Sequence, residues 1–165
     1  RLPVIVHLMA DRPEETVTMV RSLEGLENVI AVELGFAPKL ADDIISLVLT
    51  MCVGELPLVV SLPASQVLSL GPRLMDAGAA AVSIAAPRGI LPGRDGALVS
   101  GRLYGPSLFP QSLETVQSAA RLGLPVIGSG GICSRENSSK MLEAGALALQ
   151  LDTVLWNCAP DGNIL

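Results

Sequence analysis

The chain has 165 residues, half of them hydrophobic, with a mean hydropathy of +0.53 and a formal charge of −5. Its acidity, with Lys and Arg scattered, argues against nucleic acid or an anionic membrane as a partner. No apolar run approaches the roughly 18 residues of a membrane span, and no basic n-region precedes an apolar stretch as in a signal peptide. Cys52, Cys133 and Cys158 are odd in number and lack CxxC spacing, so neither a disulfide framework nor a metal site is expected and a reducing, cytoplasmic setting is.

In chain order, Val4–Leu8 reads as a short apolar strand, and Asp11-Arg12-Pro13-Glu14 as a capping box opening a helix to Leu23. Val29–Leu34 is the next strand. Pro38 is placed in the first turn of a helix that Gly54 ends. Leu58–Leu62 follows, then a helix from Ser65 to Gly78, kinked at Gly71-Pro72, and a strand at Ala80–Ala85. Pro87 to Pro106 breaks the rhythm: it is long and glycine-rich, and reads as a lid or a crossover loop on a ligand-binding face. A helix from Gln111 to Leu122, closed by Gly123, leads to strands at Val126–Gly128 and Ala146–Leu151. Strands alternating with helices predict an α/β fold with a parallel sheet, a (β/α)8 TIM barrel or a six-stranded portion of one, forming a single domain over residues 1–165. Eight strands close such a barrel and six leave two open edges. A further segment, or a second copy in a homo-oligomer, is therefore expected to complete it.

The stretch from Pro125 to Leu155 carries the most chemistry. A strand runs into Gly128-Ser129-Gly130-Gly131, a helix capped by Ser134 and closed by Gly145 follows, and a last strand ends at Asp152-Thr153. Paired glycines bring backbone N–H groups close to a ligand, and in barrels the loops after the last two strands recurrently bind phosphate. The alternative is an ordinary tight turn that binds nothing. Cys52 lies in an apolar helix and reads as core. Cys133, at a helix start, has the setting in which a thiol pKa can fall. His7, near the end of its strand, is read as packed and hydrogen-bonded, or with Glu33 as a candidate for other barrel chemistry.

The segment GRLYGPSLFP at Gly101–Pro110, followed by PVIGSGGI and LALQLDTVL, resembles the dihydroorotate dehydrogenase family. LPVIVHLMA, VIAVELGFAP, PLVVSLP and AAVSIAAP extend the resemblance through all six units. The resemblance implies an FMN-linked oxidoreductase barrel, with two strands before Arg1 and a helix after Leu165. It implies cofactor contacts at Ser61, Gly101, Arg102, Gly130, Gly131, Asp152 and Thr153, and a phosphate-bearing small molecule as ligand.

The family's working residues are largely replaced. Where an Asn-Leu-Ser-Cys-Pro-Asn type motif holds substrate and accepts the proton, this chain has Glu33-Leu34-Gly35-Phe36-Ala37-Pro38. Ser61 stands for the flavin-contacting lysine, and Ala86 for a substrate-binding asparagine. The resemblance therefore assigns no catalytic residue. The Gly-Gly pair is here Gly101-Arg102, and the Gly-Thr after the last strand is Asp152-Thr153. A carboxylate about 4 Å from a phosphate repels it by roughly 4 kcal/mol per unit charge at an effective dielectric near 20. An Arg102–Asp152 salt bridge filling the phosphate site is accordingly expected. Three readings stay open: an FMN-linked oxidoreductase without competent dihydroorotate oxidation, a non-catalytic structural or interaction module, and a barrel enzyme with different chemistry using Glu33 or His7.

Overall fold

The computed structural model describes residues 2–10 and 12–156. Strands β1 (Val4–Met9), β2 (Val29–Gly35), β3 (Leu58–Pro63) and β4 (Ala81–Ala85) alternate with helices α1 (Pro13–Leu23), α2 (Asp42–Cys52) and α3 (Ala64–Asp76). A hairpin of β5 (Arg88–Pro92) and β6 (Leu98–Arg102) follows, then a 3-10 turn at Pro106–Leu108 and α4 (Phe109–Arg121). β7 (Val126–Ser129), α5 (Arg135–Glu143), β8 (Ala148–Gln150) and a short α6 (Thr153–Trp156) complete the described chain. The main sheet has the order β1-β2-β3-β4-β7-β8, and every neighbouring pair is parallel. Its two ends, β1 and β8, have no further strand partner among the described residues.

The apolar runs of β2 to β4 are long because both faces of these strands are covered. Val32, Leu34, Val60, Leu62 and Val82 are fully buried, against Val48 and Leu49 of α2, Val67 and Leu74 of α3, and Val116 of α4. The helices thus cover one side of the sheet. Sheet curvature follows from the other side. Three strands separate β2 from β8, about 19 Å across a flat sheet at 4.8 Å spacing, yet Gln150 of β8 and Glu33 of β2 line one small cavity. The sheet is curled into a half-barrel with Glu33 on its concave face. Among the local signals, Ser134 caps α5 as expected, its Oγ accepting from the Asn137 N–H at 3.1 Å. The αβ turns at Gly78, Gly123 and Gly145 carry left-handed glycines.

Three expectations change. Pro87 to Pro106 is not an irregular loop: Arg88 pairs with Arg102, Ile90 with Ser100 and Pro92 with Leu98 in an antiparallel ladder. The turn is closed by Gly93 N–H to Ala97 O at 2.7 Å, with Asp95 Oδ1 accepting from the Ala97 N–H. Its glycines and prolines hid two short strands. Second, Pro38 precedes α2 rather than starting it. Lys39 has φ +69, which no helix accommodates, and the helix begins at Asp42-Asp43, whose carboxylates suit its positive end. Third, Arg12 is the N-cap of α1 and makes no side-chain cap bond, while Asp11 lies outside the described residues.

Candidate functional site at the mouth of the half-barrel

Parallel pairing sets His7 of β1 beside Glu33 of β2, on the same face of the sheet. His7 Nδ1 lies 2.8 Å from Glu33 Oε2, with the carboxylate side chain only 8% exposed and the imidazole 35%. Ser83 of β4 donates its hydroxyl to Glu33 Oε1 at 2.5 Å. Burial alone would raise the Glu33 carboxyl, but hydrogen bonds from His7 and Ser83, the charge on His7 and the Gln150 amide outweigh it. The carboxyl is therefore held below its ordinary value. An ionised carboxylate only accepts, so Nδ1 of His7 carries a proton. Gly35 permits this arrangement: a Cβ there would fall 2.6 Å from His7 Cε1 and Nε2.

Above this network lies a cavity of about 180 Å³, lined among others by His7, Glu33, Ser61, Arg102, Gln150 and Asp152. The structure thus brings together three of the residues anticipated as cofactor contacts: Ser61, Arg102 and Asp152. The Arg102–Asp152 salt bridge is absent. No ion pair joins them, and the exposed Arg102 guanidinium instead lies 3.9 Å from Met9 Sδ. The physical reason lies in the chain next to Asp152. Its Oδ1 accepts from both the backbone N–H and the hydroxyl of the adjacent Thr153, so the carboxylate is engaged locally instead of reaching across the mouth.

The glycine pair is placed by packing. Gly130 has φ +92 and a Cβ there would lie 2.6 Å from Ser112 Oγ. Gly131 has φ +73 and its Cβ would lie 2.3 Å from the Phe109 backbone nitrogen. Both are thus needed to seat the β7 loop against the start of α4, whatever else they do. They do not line the 180 Å³ cavity, nor does Thr153, which is 2% exposed. Gly101 sits on exposed β6, with open space where its side chain would be. Cys52 is buried, and burial raises its thiol pKa. Cys133 is exposed, its N–H and thiol both directed at Asn137 Oδ1. Cys158 lies outside the described residues.

A second cavity, about 380 Å³, opens at the C-terminal ends of β2, β3 and β4. Phe36, Ala37 and Pro38 line it, as do Ser61, Ala86 and Arg102. The positions at which the resemblance implies a base and substrate ligands therefore share one space, but without a titratable group at Phe36, Ala37 or Pro38. Reading the sequence missed Lys39 and Arg88 at this cavity, and Ser83, Ser129 and Gln150 around Glu33. The signal that could have found the latter is a polar residue inside each apolar strand.

No family model matches the chain. It is 29% identical over 177 residues to the dihydroorotate dehydrogenase B (NAD(+)) catalytic subunit of Geotalea uraniireducens, covering 92% of this chain and 56% of that protein. The corresponding subunit of Citrifermentans bemidjiense is 31% identical with the same coverage. The chain spans little more than half the length of these curated relatives. Among solved structures, ligand-free dihydroorotate dehydrogenase of Eimeria tenella superposes with a TM-score of 0.71 at 14% identity, over 93% of this chain and 53% of that one. Trypanosoma brucei GMP reductase gives 0.57 at 22% identity, over 92% and 30%. At such identities the superpositions speak for the half-barrel fold, and the sequence matches narrow the likeness. By sequence and by fold, this chain resembles the dihydroorotate dehydrogenases, as a diverged form matching about half their length.

Proposed function

We propose that this chain is a dihydroorotate dehydrogenase-like barrel that does not oxidise dihydroorotate, and that it serves as a non-catalytic module. The observation that carries this reading is the C-terminal end of β2. Gly35-Phe36-Ala37-Pro38 faces the cavity with no side chain able to take a proton, and general-base catalysis needs one within hydrogen-bond reach. The titratable pair below it, His7 and Glu33, is engaged with itself and with Ser83. A carboxylate held below its ordinary pKa is a weak base near neutrality.

The flavin phosphate fits poorly as well. Both polar donors of Thr153 are directed at Asp152, and the carboxylate stands where a phosphate would need them. The Gly130-Gly131 backbone is packed on Phe109 and Ser112. The competing reading, an FMN-linked oxidoreductase, draws on the grouping of Ser61, Arg102 and Asp152 around one cavity. A turnover assay of the full-length protein separates them. With dihydroorotate and a series of common electron acceptors, the expected rate is below about 1 s⁻¹, the low end of ordinary enzyme rates. A rate at or above that value would overturn the proposal.

A further inference from the structure

We propose that the 380 Å³ cavity at the ends of β2, β3 and β4 binds a small organic dianion with an apolar body, held by Arg88, Arg102 and Lys39. The inference does not rest on whether the chain oxidises dihydroorotate or binds flavin. Its first ground is charge. Three of the chain's 11 Lys and Arg residues line this one cavity, while none of its 16 Asp and Glu does so among the described residues. In a chain of net charge −5, a lining with cations alone favours anions, the carboxylates of Glu33 and Asp152 lying in the neighbouring cavity that Arg102 also borders. Asp42, whose carboxylate meets the Gln66 amide at 3.3 Å, stays outside the lining.

The second ground is the hairpin register. Arg88 and Arg102 are direct cross-strand partners, and like charges at such positions are destabilising. Neither guanidinium makes an ion pair with a described carboxylate, and Lys39 makes none either. A shared anion between the two planar forks offsets that repulsion and offers bidentate hydrogen bonding to either of two oxyanion groups. The third ground is the wall. Phe36, Leu40, Ile45 and Leu62 provide apolar lining, and the volume suits a ligand about the size of one substituted ring. Pro63, Ser65 and Gln66 line the same space from the start of α3, a helix with no side-chain cap and no acidic residue in its first turn. That helix end adds a favourable partial charge of the same sign.

The shared chemistry is a doubly charged oxyanion on an apolar frame, met by a phosphate monoester or by a dicarboxylate. Calorimetric titration of the full-length chain with phenyl phosphate, phthalate and neutral benzamide distinguishes the sources. The expected result is that one or both dianions bind, benzamide does not, and affinity falls as salt is raised. Tighter phenyl phosphate assigns a phosphate ligand, and tighter phthalate a dicarboxylate. Arg88→Gln and Arg102→Gln should each weaken binding about ten- to hundredfold, as expected for loss of a charged hydrogen bond. Arg94→Gln, in the hairpin turn outside the cavity, should leave it unchanged. Both arginines are exposed, so unaltered melting of the variants confirms that folding is intact. Absence of binding by both dianions, equal binding of benzamide, or indifference to the two cavity substitutions would each overturn the proposal.

Discussion

The two sides of the barrel mouth have taken opposite courses. On the β7–β8 side, where the sequence resemblance is strongest, polar donors and backbone are turned on one another: Asp152 on Thr153, Gly131 on Phe109. On the β2–β4 side, where the resemblance fails residue by residue, a cavity stays open with three cations and no described carboxylate. A signature can thus persist because the fold needs it for packing, while binding capacity moves to positions that carry no signature.

The largest difference between the two sides is expected at two glycines. Gly131→Ala forces a side chain into a left-handed backbone and against the Phe109 backbone, which cannot give way. The expected loss is about 3 kcal/mol or more, read by denaturant unfolding. Gly101→Ala, on the open side, meets nothing within 4 Å and should change stability by no more than about 0.5 kcal/mol. Equal effects at the two positions would remove the contrast between a packed side and an open one.

Next in size is Glu33, which binds His7 of β1 and Ser83 of β4 and lines one cavity with Gln150 of β8. Glu33→Ala leaves a buried Ser83 hydroxyl without its acceptor and should cost about 2–3 kcal/mol. Its pH dependence has a definite sign. The folded carboxyl is depressed, so its stabilisation is fully present above the unfolded value of about 4.5 and is lost as pH falls through the lower folded value. Melting curves from about pH 7 to about pH 3 should therefore fall more steeply for the unsubstituted chain than for Glu33→Gln. Parallel curves would show that the carboxylate is not held as described.

A smaller loss than at Glu33 is expected at Asp152. Asp152→Ala removes the acceptor of the Thr153 N–H and hydroxyl and should cost about 1 kcal/mol by thermal unfolding. A stabilising effect would instead mark Asp152 as strained by its neighbours, contrary to a mouth that is satisfied internally.

How much of this was legible beforehand differs by element. Six strands and their parallel order could be read because apolar runs such as Val29–Leu34 and Leu58–Leu62 alternate with punctuated helical segments, and hydrophobic continuity is itself a product of parallel burial. The hairpin was hidden, since Gly89, Pro92 and Gly101 mimic loop composition, although Asp95-Gly96 is a turn signal. His7 and Glu33 stood out as isolated polar residues in apolar strands, but their meeting with Ser83 depends on register and curl, which one strand's sequence does not encode. The Arg102–Asp152 pair failed because a local interaction, one residue away at Thr153, competes successfully with a distant one. Lys39 and Arg88 were passed over since scattered cations have no visible order until the fold gathers them.

Whether the chain's own groups close the β7–β8 side to a flavin phosphate, as proposed, is decided by titrating FMN into the full-length protein and its Asp152→Gly variant. Flavin fluorescence and the colour left after desalting give the readout. The unsubstituted protein should be colourless, and FMN should bind measurably more tightly once the carboxylate is gone. A yellow, stoichiometric complex of the unsubstituted protein, with affinity unchanged or lowered in the variant, would contradict it.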